Sequence, residues 1–160
     1  MEYLVTVKEK VIRTLTAPID ENSGVSTNFI HKAALSTSEC ESISDGVLCA
    51  GKGDVILSYN LDDDVNVDIS FNRDEPKLIT VTRTSPRGNA LTLVFEEGVR
   101  HVCVCKNAIG AIEMVTRANR IDNRLMQRGR FDIDYFVEIQ GVRAEKTQLK
   151  LTVLKNEQLR

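Results

Sequence analysis

The chain has 160 residues, 42% of them hydrophobic and 28% charged, with a formal net charge of −2 at pH 7. This length and balance are typical of one folded domain and exclude a disordered chain. The small net charge excludes a strong global attraction to nucleic acid or to an anionic membrane, and no apolar run approaches the roughly 18 residues of a spanning helix. We therefore expect one domain over residues 1–160.

The N-terminal third contains one clear strand and two ambiguous segments. Tyr3, Val5 and Val7 share one face of a predicted strand, and the early charge in this segment is not typical of a signal peptide. We therefore expect a cytoplasmic protein. Residues 14–27 are polar and irregular, which predicts a long loop, whereas residues 36–46, rich in Ser and Glu, fit either a strand with polar faces or a hairpin.

The cysteines are predicted to be free thiols, because a cytoplasmic compartment is reducing. They are Cys40, Cys49, Cys103 and Cys105. Cys103 and Cys105 share one face of a predicted strand, but the spacing of the four lacks the close pairs that structural zinc sites use. We therefore predict no metal site and no cofactor.

Regular alternation of apolar and polar residues begins near residue 55 and recurs toward the C-terminus. The clearest run is Val65, Val67, Ile69 and Phe71, with a polar residue after each. Because successive side chains of a strand point to opposite faces, this run has one dry and one wet face. Residues 116–126 break the alternation and fit either a bent strand or one short helical turn. The alternating pattern is repeated in five further segments: 55–61, 78–83, 91–95, 131–139 and 149–153.

Short turn signals separate these runs, for example at residues 62–64 and 85–89. Loops this short join antiparallel neighbours, since parallel strands need long crossovers. A long meander must bury its hydrophobic face, and no amphipathic helix of useful length is present to cover it. We predict an all-β fold, a closed antiparallel meander β-barrel of about 8–10 strands with little or no helix, with two packed sheets as the alternative.

Several short motifs in the C-terminal two thirds resemble those of a known family. They are Leu93-Val94-Phe95-Glu96-Glu97-Gly98-Val99-Arg100-His101, Gly110, Thr116, Gly129-Arg130-Phe131-Asp132-Ile133-Asp134-Tyr135, Leu149-Lys150-Leu151-Thr152-Val153 and, upstream, Leu57-Ser58-Tyr59. Over about residues 55–155 the chain resembles the YwiB-like family of uncharacterised bacterial proteins. The resemblance implies a lipocalin-type, calycin-like barrel with an internal cavity. It implies no activity, because the family has no established biochemical role.

The chain departs from this family just after His101, where relatives carry a tyrosine and then a Thr-Pro-like turn. The residues found in this chain are Val104, Cys105, Asn107, Ala108 and Ile109. If this rim contacts a ligand, the resemblance predicts a different ligand for this chain.

Seven residues are candidates for contact with a ligand inside the barrel. They are Tyr59, Arg83, Phe95, Glu97, Arg100, His101 and Tyr135. Arg83 shares the apolar face of Ile79 and Val81, where a guanidinium either binds a carboxylate or extends along the surface to water. Arg100 and His101 are consecutive, so one of them points inward. It is either a ligand anchor, half of an ion pair with Glu97, or a charge at the rim in contact with water.

The strongest local charge lies between residues 117 and 130. It consists of Arg117, Arg120, Arg124, Arg128 and Arg130, against the single acid Asp122. Such a cluster fits either contact with RNA or phosphate, or a solvated end of the barrel. No RNP-like aromatic motif accompanies it, so we do not expect nucleic acid as a partner.

No catalytic residue is predicted, because no nucleophile elbow, phosphate loop or dinucleotide motif occurs. The leading hypothesis is a non-enzymatic, lipocalin-like barrel that binds a small, partly apolar or carboxylate-bearing molecule, with Arg83 or Arg100 inside its cavity. A second hypothesis is an interaction module with a filled core, which binds protein or RNA through its outer surface. A third, a small hydrolase or isomerase, requires His101 and Glu97 in hydrogen-bond contact in a cleft.

Self-association as a homodimer is a further expectation. Val94, Phe136 and Leu154 lie on predicted outer faces, where a second copy or the N-terminal segment would cover them.

Overall fold

The computed structural model describes residues 1–16, 36–107, 110–139 and 143–159, which form ten β-strands and one helical turn. The strands are β1 (Glu2–Thr16), β2 (Ser36–Ala50), β3 (Asp54–Asn60), β4 (Asn66–Asn72), β5 (Glu75–Thr84), β6 (Ala90–Glu96), β7 (Arg100–Asn107), β8 (Gly110–Arg124), β9 (Arg130–Ile139) and β10 (Arg143–Leu159), with α1 (Leu125–Arg128) between β8 and β9. The prediction of an all-β fold with little helix is confirmed. Within the described ranges, no helix is long and apolar enough to cross a membrane.

The strands form a meander in which the first strand also pairs with the last. The order across the sheet is β6-β5-β4-β3-β2-β1-β10-β9-β8-β7, and every ladder is antiparallel. The longest ladder joins β1 to β10, from the pair Glu2 and Leu159 to the pair Thr16 and Ala144. The predicted antiparallel meander is therefore confirmed, with ten strands at the upper end of the expected range.

The barrel is nearly closed at a seam between β6 and β7, the two edges of the sheet. Among the described residues, their ladder contact is the single bridge between Glu96 and Val99 at the turn that connects them. Beside this bridge, Glu97 pairs with Ala118 of β8, and the hydroxyl of Thr116 donates a hydrogen bond to the carbonyl of Val94 at 2.6 Å. Closure thus depends on β8 reaching β6 rather than on a full β6–β7 ladder.

The core lies in the lumen of the barrel. Along each strand, every second side chain points inward and packs there. On β4 the side chains of Val67 and Ile69 are fully buried, and on β9 those of Phe131 and Ile133 are as well. Burial of each such side chain contributes about 1.5–3 kcal/mol to the stability of the fold. The period-two pattern read from the sequence therefore marks the faces that hold the barrel together.

β2 resolves one ambiguity of the sequence. Residues 36–46 belong to one strand that continues to Ala50, not to a hairpin. The strand forms because β1 pairs with it from Ser36 to Cys49, and β3 pairs with its last part, from Gly46 to Ala50. This backbone pairing does not depend on the side chains of the strand. Of the loop expected over residues 14–27, residues 14–16 belong to β1 instead, and the rest of that segment lies outside the described residues.

The irregular segment at residues 116–126 combines both structures that were considered for it. β8 continues to Arg124 with a register shift between Ala118 and Arg120, and α1 follows directly. The shift inserts one extra residue into the ladder, which changes the side that later residues face. Loss of alternation in the sequence was the signature of this bulge.

Gly129 allows the chain to turn from α1 into β9. It has a left-handed φ of 63°, and its N–H donates a hydrogen bond to the carbonyl of Leu125 at 3.0 Å. Its own carbonyl accepts a hydrogen bond of 2.7 Å from the N–H of Val153. A Cβ atom at this position would overlap the carbonyl oxygen of Val153, so only glycine fits between the two strands.

We expect Gly129→Ala to destabilise the protein more than Gly88→Ala. Both glycines have positive φ, at 63° and 82°, so both substitutions add strain of about 1–2 kcal/mol. Only Gly129 also has a backbone atom in the way, whereas no atom lies within 4 Å of a Cβ at Gly88. The additional loss should be about 1–3 kcal/mol in urea unfolding followed by circular dichroism. Equal losses for the two variants would contradict this account of Gly129.

Candidate functional site at the mouth of the barrel

The two ends of the barrel differ. At one end α1 packs the buried side chain of Leu125 against the core. At the other end is a cavity of about 310 Å³, which we call the mouth cavity. It is lined by Glu9, Val11, Arg13, Ser38, Cys40, Ser42, Leu61, Asp62, Asp63 and Arg83.

Small side chains on β2 provide the space for this cavity. Three of them lie next to larger residues of β1 in the ladder: Ser38, Cys40 and Ser42 pair with Arg13, Val11 and Glu9, respectively. Further along the same face of β2, Leu48 is fully buried. The lumen is therefore filled at the level of Leu48 and open at the level of the serines.

Glu9 is a buried carboxylate in the wall of the cavity, only 5% exposed. Tyr59 donates a short hydrogen bond from its hydroxyl to Oε2 of Glu9. Arg83, on the other side, places Nη2 3.7 Å from Oε1. A buried charge is costly without such partners, so Tyr59 and Arg83 are what allow a carboxylate at this position.

Gly46 lets Tyr59 approach Glu9. Gly46 and Tyr59 are opposite each other in the β2–β3 ladder. A Cβ atom on Gly46 would lie 2.6 Å from the carbonyl oxygen of Ser58 and 3.1 Å from Cβ of Tyr59. The close contact of the backbones thus fixes the depth at which the tyrosine hydroxyl lies in the lumen.

Burial and charge perturb both lumen tyrosines. Burial raises the pKa of Tyr59, and the negative charge of Glu9 raises it further. Burial also raises the pKa of Tyr135, although the positive charges of Arg83 and Arg13 act in the opposite direction. The ring of Tyr135 packs against that of Phe95, with 4.4 Å between centroids. The fields of both arginines therefore reach into the lumen.

The structure separates the seven predicted site residues into two groups. Four lie on the inner face of the barrel: Tyr59, Arg83, Phe95 and Tyr135. Three lie at the seam: Glu97, Arg100 and His101. Of the seven, Arg83 lines the mouth cavity directly, and the role of all seven in ligand binding stays a prediction.

The three seam residues already have partners in the fold. Arg100 is exposed and donates to Glu138 at 2.9 Å, which is an ion pair at the surface. His101 Nε2 lies 3.1 Å from Glu96 Oε2, not beside Glu97. The His101–Glu97 contact that a hydrolase would need is therefore not formed.

Glu97 instead has a structural role. Its carboxylate accepts hydrogen bonds from the backbone N–H of Ile121 at 2.8 Å and from Lys77 at 3.0 Å. These two bonds, that of Ile121 first, hold the pKa of Glu97 below its usual value. Because Ile121 belongs to β8, the contact ties the β6–β7 turn to the strand that closes the barrel.

The arginine cluster lies on the outside of the barrel, and all five side chains are exposed. Two of them form ion pairs with acids of the same surface: Arg124 Nε lies 2.9 Å from Asp122, and Arg120 Nε lies 3.5 Å from Asp134.

The four cysteines are free thiols. In the described part of the chain, no group of three or more His, Cys, Asp or Glu side chains is close enough to hold a metal ion.

Residues 26–151 match the family model described as "Domain of unknown function (DUF1934)". The chain belongs to this family. The match contains Tyr59, Arg83 and Tyr135 but begins after Glu9. The resemblance to YwiB-like proteins inferred from the sequence motifs is confirmed.

A solved structure supports the same fold. The crystal structure of the YwiB protein from Bacillus subtilis is similar to this chain, with a TM-score of 0.58 and 15% sequence identity, over 94% of this chain and 92% of that one. At this identity the likeness shows the fold alone. No curated protein matches the sequence. The comparison with lipocalins stays a prediction for this DUF1934 domain.

Glu9 was missed by the sequence reasoning, although a signal was present. In the first strand Val5, Val7 and Val11 share a face, and Glu9 interrupts it. A charged residue in an otherwise apolar strand face is either a site residue or the end of the buried stretch. Since Val11 follows it, the second explanation does not apply.

We expect Tyr59→Phe to lower the free energy of unfolding by about 1–3 kcal/mol, because it removes the hydrogen-bond donor to a buried carboxylate. Tyr3→Phe is the matched control. The hydroxyl of Tyr3 makes an exposed hydrogen bond to the sulfur of Met1 and has no other hydrogen-bond partner among the described residues, so its loss should have almost no effect. Urea unfolding at neutral pH measures both. A Tyr59→Phe variant as stable as wild type would show that the hydrogen bond to Glu9 contributes nothing.

Stability should also fall at alkaline pH because of Tyr59. Its pKa is raised above the ordinary value of 10.0, so the folded state holds this proton more tightly than the unfolded state does. The corresponding stabilisation is fully present below about pH 10 and is lost as the pH rises above it. Unfolding free energies measured from about pH 8 to about pH 11 should decline less steeply in Tyr59→Phe than in wild type. Parallel curves would contradict the assignment to Tyr59.

Proposed function

We propose that this protein is a non-enzymatic barrel that binds a small molecule in the mouth cavity. The observation that carries the proposal is the buried carboxylate of Glu9 in the wall of a cavity of about 310 Å³. Cavities of this size, with a few convergent polar groups, are typical of small-molecule sites. We propose a ligand with one polar end toward Glu9 and Arg83 and an apolar part along Val11 and Leu61.

Energetics support a functional reason for Glu9. Replacing a buried ion pair by apolar residues of similar size is often neutral or stabilising, so such a pair is weak evidence for stability. Glu9 also faces a cavity, where a group with unusual surroundings is a site candidate on physical grounds. Tyr59 and Arg83, which hold it, add a hydroxyl and a guanidinium to the same region.

We favour binding over hydrolysis or isomerisation because no histidine is among the described residues that line the cavity. His101 lies at the seam with Glu96, and His31 lies outside the described residues. The alternative of an interaction module that uses the arginine cluster is less favoured, because Arg120 and Arg124 are paired with acids on that surface.

Self-association is a second candidate function of the surface. β7 is an edge strand, and on it Val102 and Val104 are 63% and 57% exposed. An exposed apolar edge strand is a place where a further strand pairs. Leu154, an outer position in the sequence prediction, is also exposed, whereas Val94 and Phe136 are half-buried.

Native mass spectrometry of gently purified protein tests the proposal. We expect a retained small molecule that is lost in Arg83→Ala but kept in Arg100→Ala, the matched control. Arg100→Ala removes the same group from an exposed position at the seam. Loss in Arg100→Ala with retention in Arg83→Ala would move the site to the seam and overturn the mouth cavity as the binding site. The same spectrum gives the mass of the assembly, so it also reports a homodimer.

A further inference from the structure

The mouth cavity carries charges of both signs close together. Its positive groups are Arg13 and Arg83, and its negative groups are Glu9, Asp62 and Asp63. A ligand with a single charge would leave one of these sets facing a like charge or facing no ligand charge at all. Because charged groups in a confined site need partners, the composition of the wall restricts the class of ligand.

Glu9 has room for one more hydrogen-bond donor. A carboxylate accepts at about four lone-pair sites. Among the described residues, Glu9 has one hydrogen-bond donor, the hydroxyl of Tyr59 on Oε2, and the Arg83 Nη2 atom at 3.7 Å from Oε1 is beyond hydrogen-bond length. A ligand ammonium fits this oxygen, whereas a second carboxylate placed here would meet like charge.

Arg83 and Arg13 have room for an acceptor. A guanidinium offers five N–H donors, and a carboxylate takes two of them in a bidentate pair. Among the described residues, the nearest acidic oxygen is 3.7 Å from Arg83, at Glu9, and 3.5 Å from Arg13, at Glu145. Both arginines therefore retain donors for an anionic group of the ligand.

The spacing of the two charges selects a particular arrangement in the ligand. Glu9 Oε1 and Arg83 Nη2 are 3.7 Å apart. In an α-amino acid, the two bonds of about 1.5 Å through Cα put the ammonium nitrogen about 2.5 Å from the carboxylate carbon. The carboxylate oxygens lie about 1.2 Å beyond that carbon. The ligand can therefore lie alongside the pair, with its ammonium toward Glu9 and its carboxylate oxygens toward Arg83.

From this geometry we infer that the ligand of the mouth cavity is an α-amino acid or the end of a compound with the same zwitterionic group, held between Glu9 and Arg83. This inference rests on the proposed function, since it names the ligand class of the same site. The apolar wall at Val11 and Leu61 favours an aliphatic side chain over a charged one.

The test compares matched ligands on the wild-type protein by NMR titration. The probes are the common aliphatic L-amino acids, each with the analogue that lacks the amine and the analogue that lacks the carboxylate, such as leucine, 4-methylpentanoate and 3-methylbutylamine. We expect at least one amino acid to bind about tenfold or more tightly than both of its analogues, because each analogue loses one charge-assisted contact. Failure of every amino acid to exceed its analogues would overturn the inference.

Two variants assign the two contacts. In Arg83→Met the advantage over the amine analogue should disappear, and in Glu9→Gln the advantage over the carboxylate analogue should disappear. Glu9→Gln keeps an acceptor for Tyr59, and Arg128→Met, in α1 at the opposite end, is the control with unchanged binding. If both variants retain full selectivity, the contacts are elsewhere and the inference is wrong.

The native mass spectrum and the titration together distinguish a wrong ligand class from a protein that binds no small molecule. A molecule retained in the native spectrum and lost in Arg83→Ala, but without an amine, supports the binding barrel and overturns the zwitterion. A protein that retains no molecule and binds none of the probes overturns both.

Discussion

The pairing of β1 with two strands is the constraint on which the rest of the structure depends. β1 is bonded to β2 on one side and to β10 on the other along nearly all of its 15 residues. It therefore joins the half of the meander that precedes the seam to the half that follows it. Because this places Glu2 beside Leu159, the barrel cannot close until the two ends of the chain have met. The same register directs Glu9 inward, since Val7 and Val11 face the core.

A carboxylate fixed in this way must be accommodated by other strands. Tyr59 comes from β3 and Arg83 from β5, and neither is adjacent to β1 in the sheet. Their contacts with Glu9 therefore run across the lumen. Small groups on the strand between them, such as Gly46 and Ser42, leave the space that these contacts need. The mouth cavity is the part of this space that the three side chains do not fill.

The fold could be predicted from the sequence because the information for it is local. Alternation such as that of Val67, Ile69 and Phe71 predicts which face of a strand is buried, and short loops indicate that neighbouring strands are antiparallel. The strand Ser36–Ala50 was ambiguous over residues 36–46 because its pairing with β1, not its side chains, makes it a strand. The bulge after Ala118 was likewise visible only as lost alternation.

The site was less predictable because it depends on contacts across the barrel. Tyr59, Arg83 and Tyr135 could be placed on inner faces strand by strand. That Arg83 lies beside Glu9 could not, since it requires the order of the strands and the inclination of β5 relative to β1. Arg100 and His101 were attractive as a pair in sequence, but at the seam Arg100 forms an ion pair with Glu138, and His101 lies in contact with Glu96.

The charged residues Glu9 and Arg83 of the mouth cavity lie together because of the register of the ladders. Along β5 the inner face changes from Ile79 and Val81 to Arg83, and along β1 it changes from Val7 to Glu9. The change on β5 is typical of a strand that approaches solvent, whereas on β1 Glu9 interrupts an apolar face that continues to Val11. The sheet brings both charged residues to the wall of the same cavity. Because the fold needs little more than alternation, it is shared with the YwiB structure at 15% identity, and the fold alone does not specify the residues at this level.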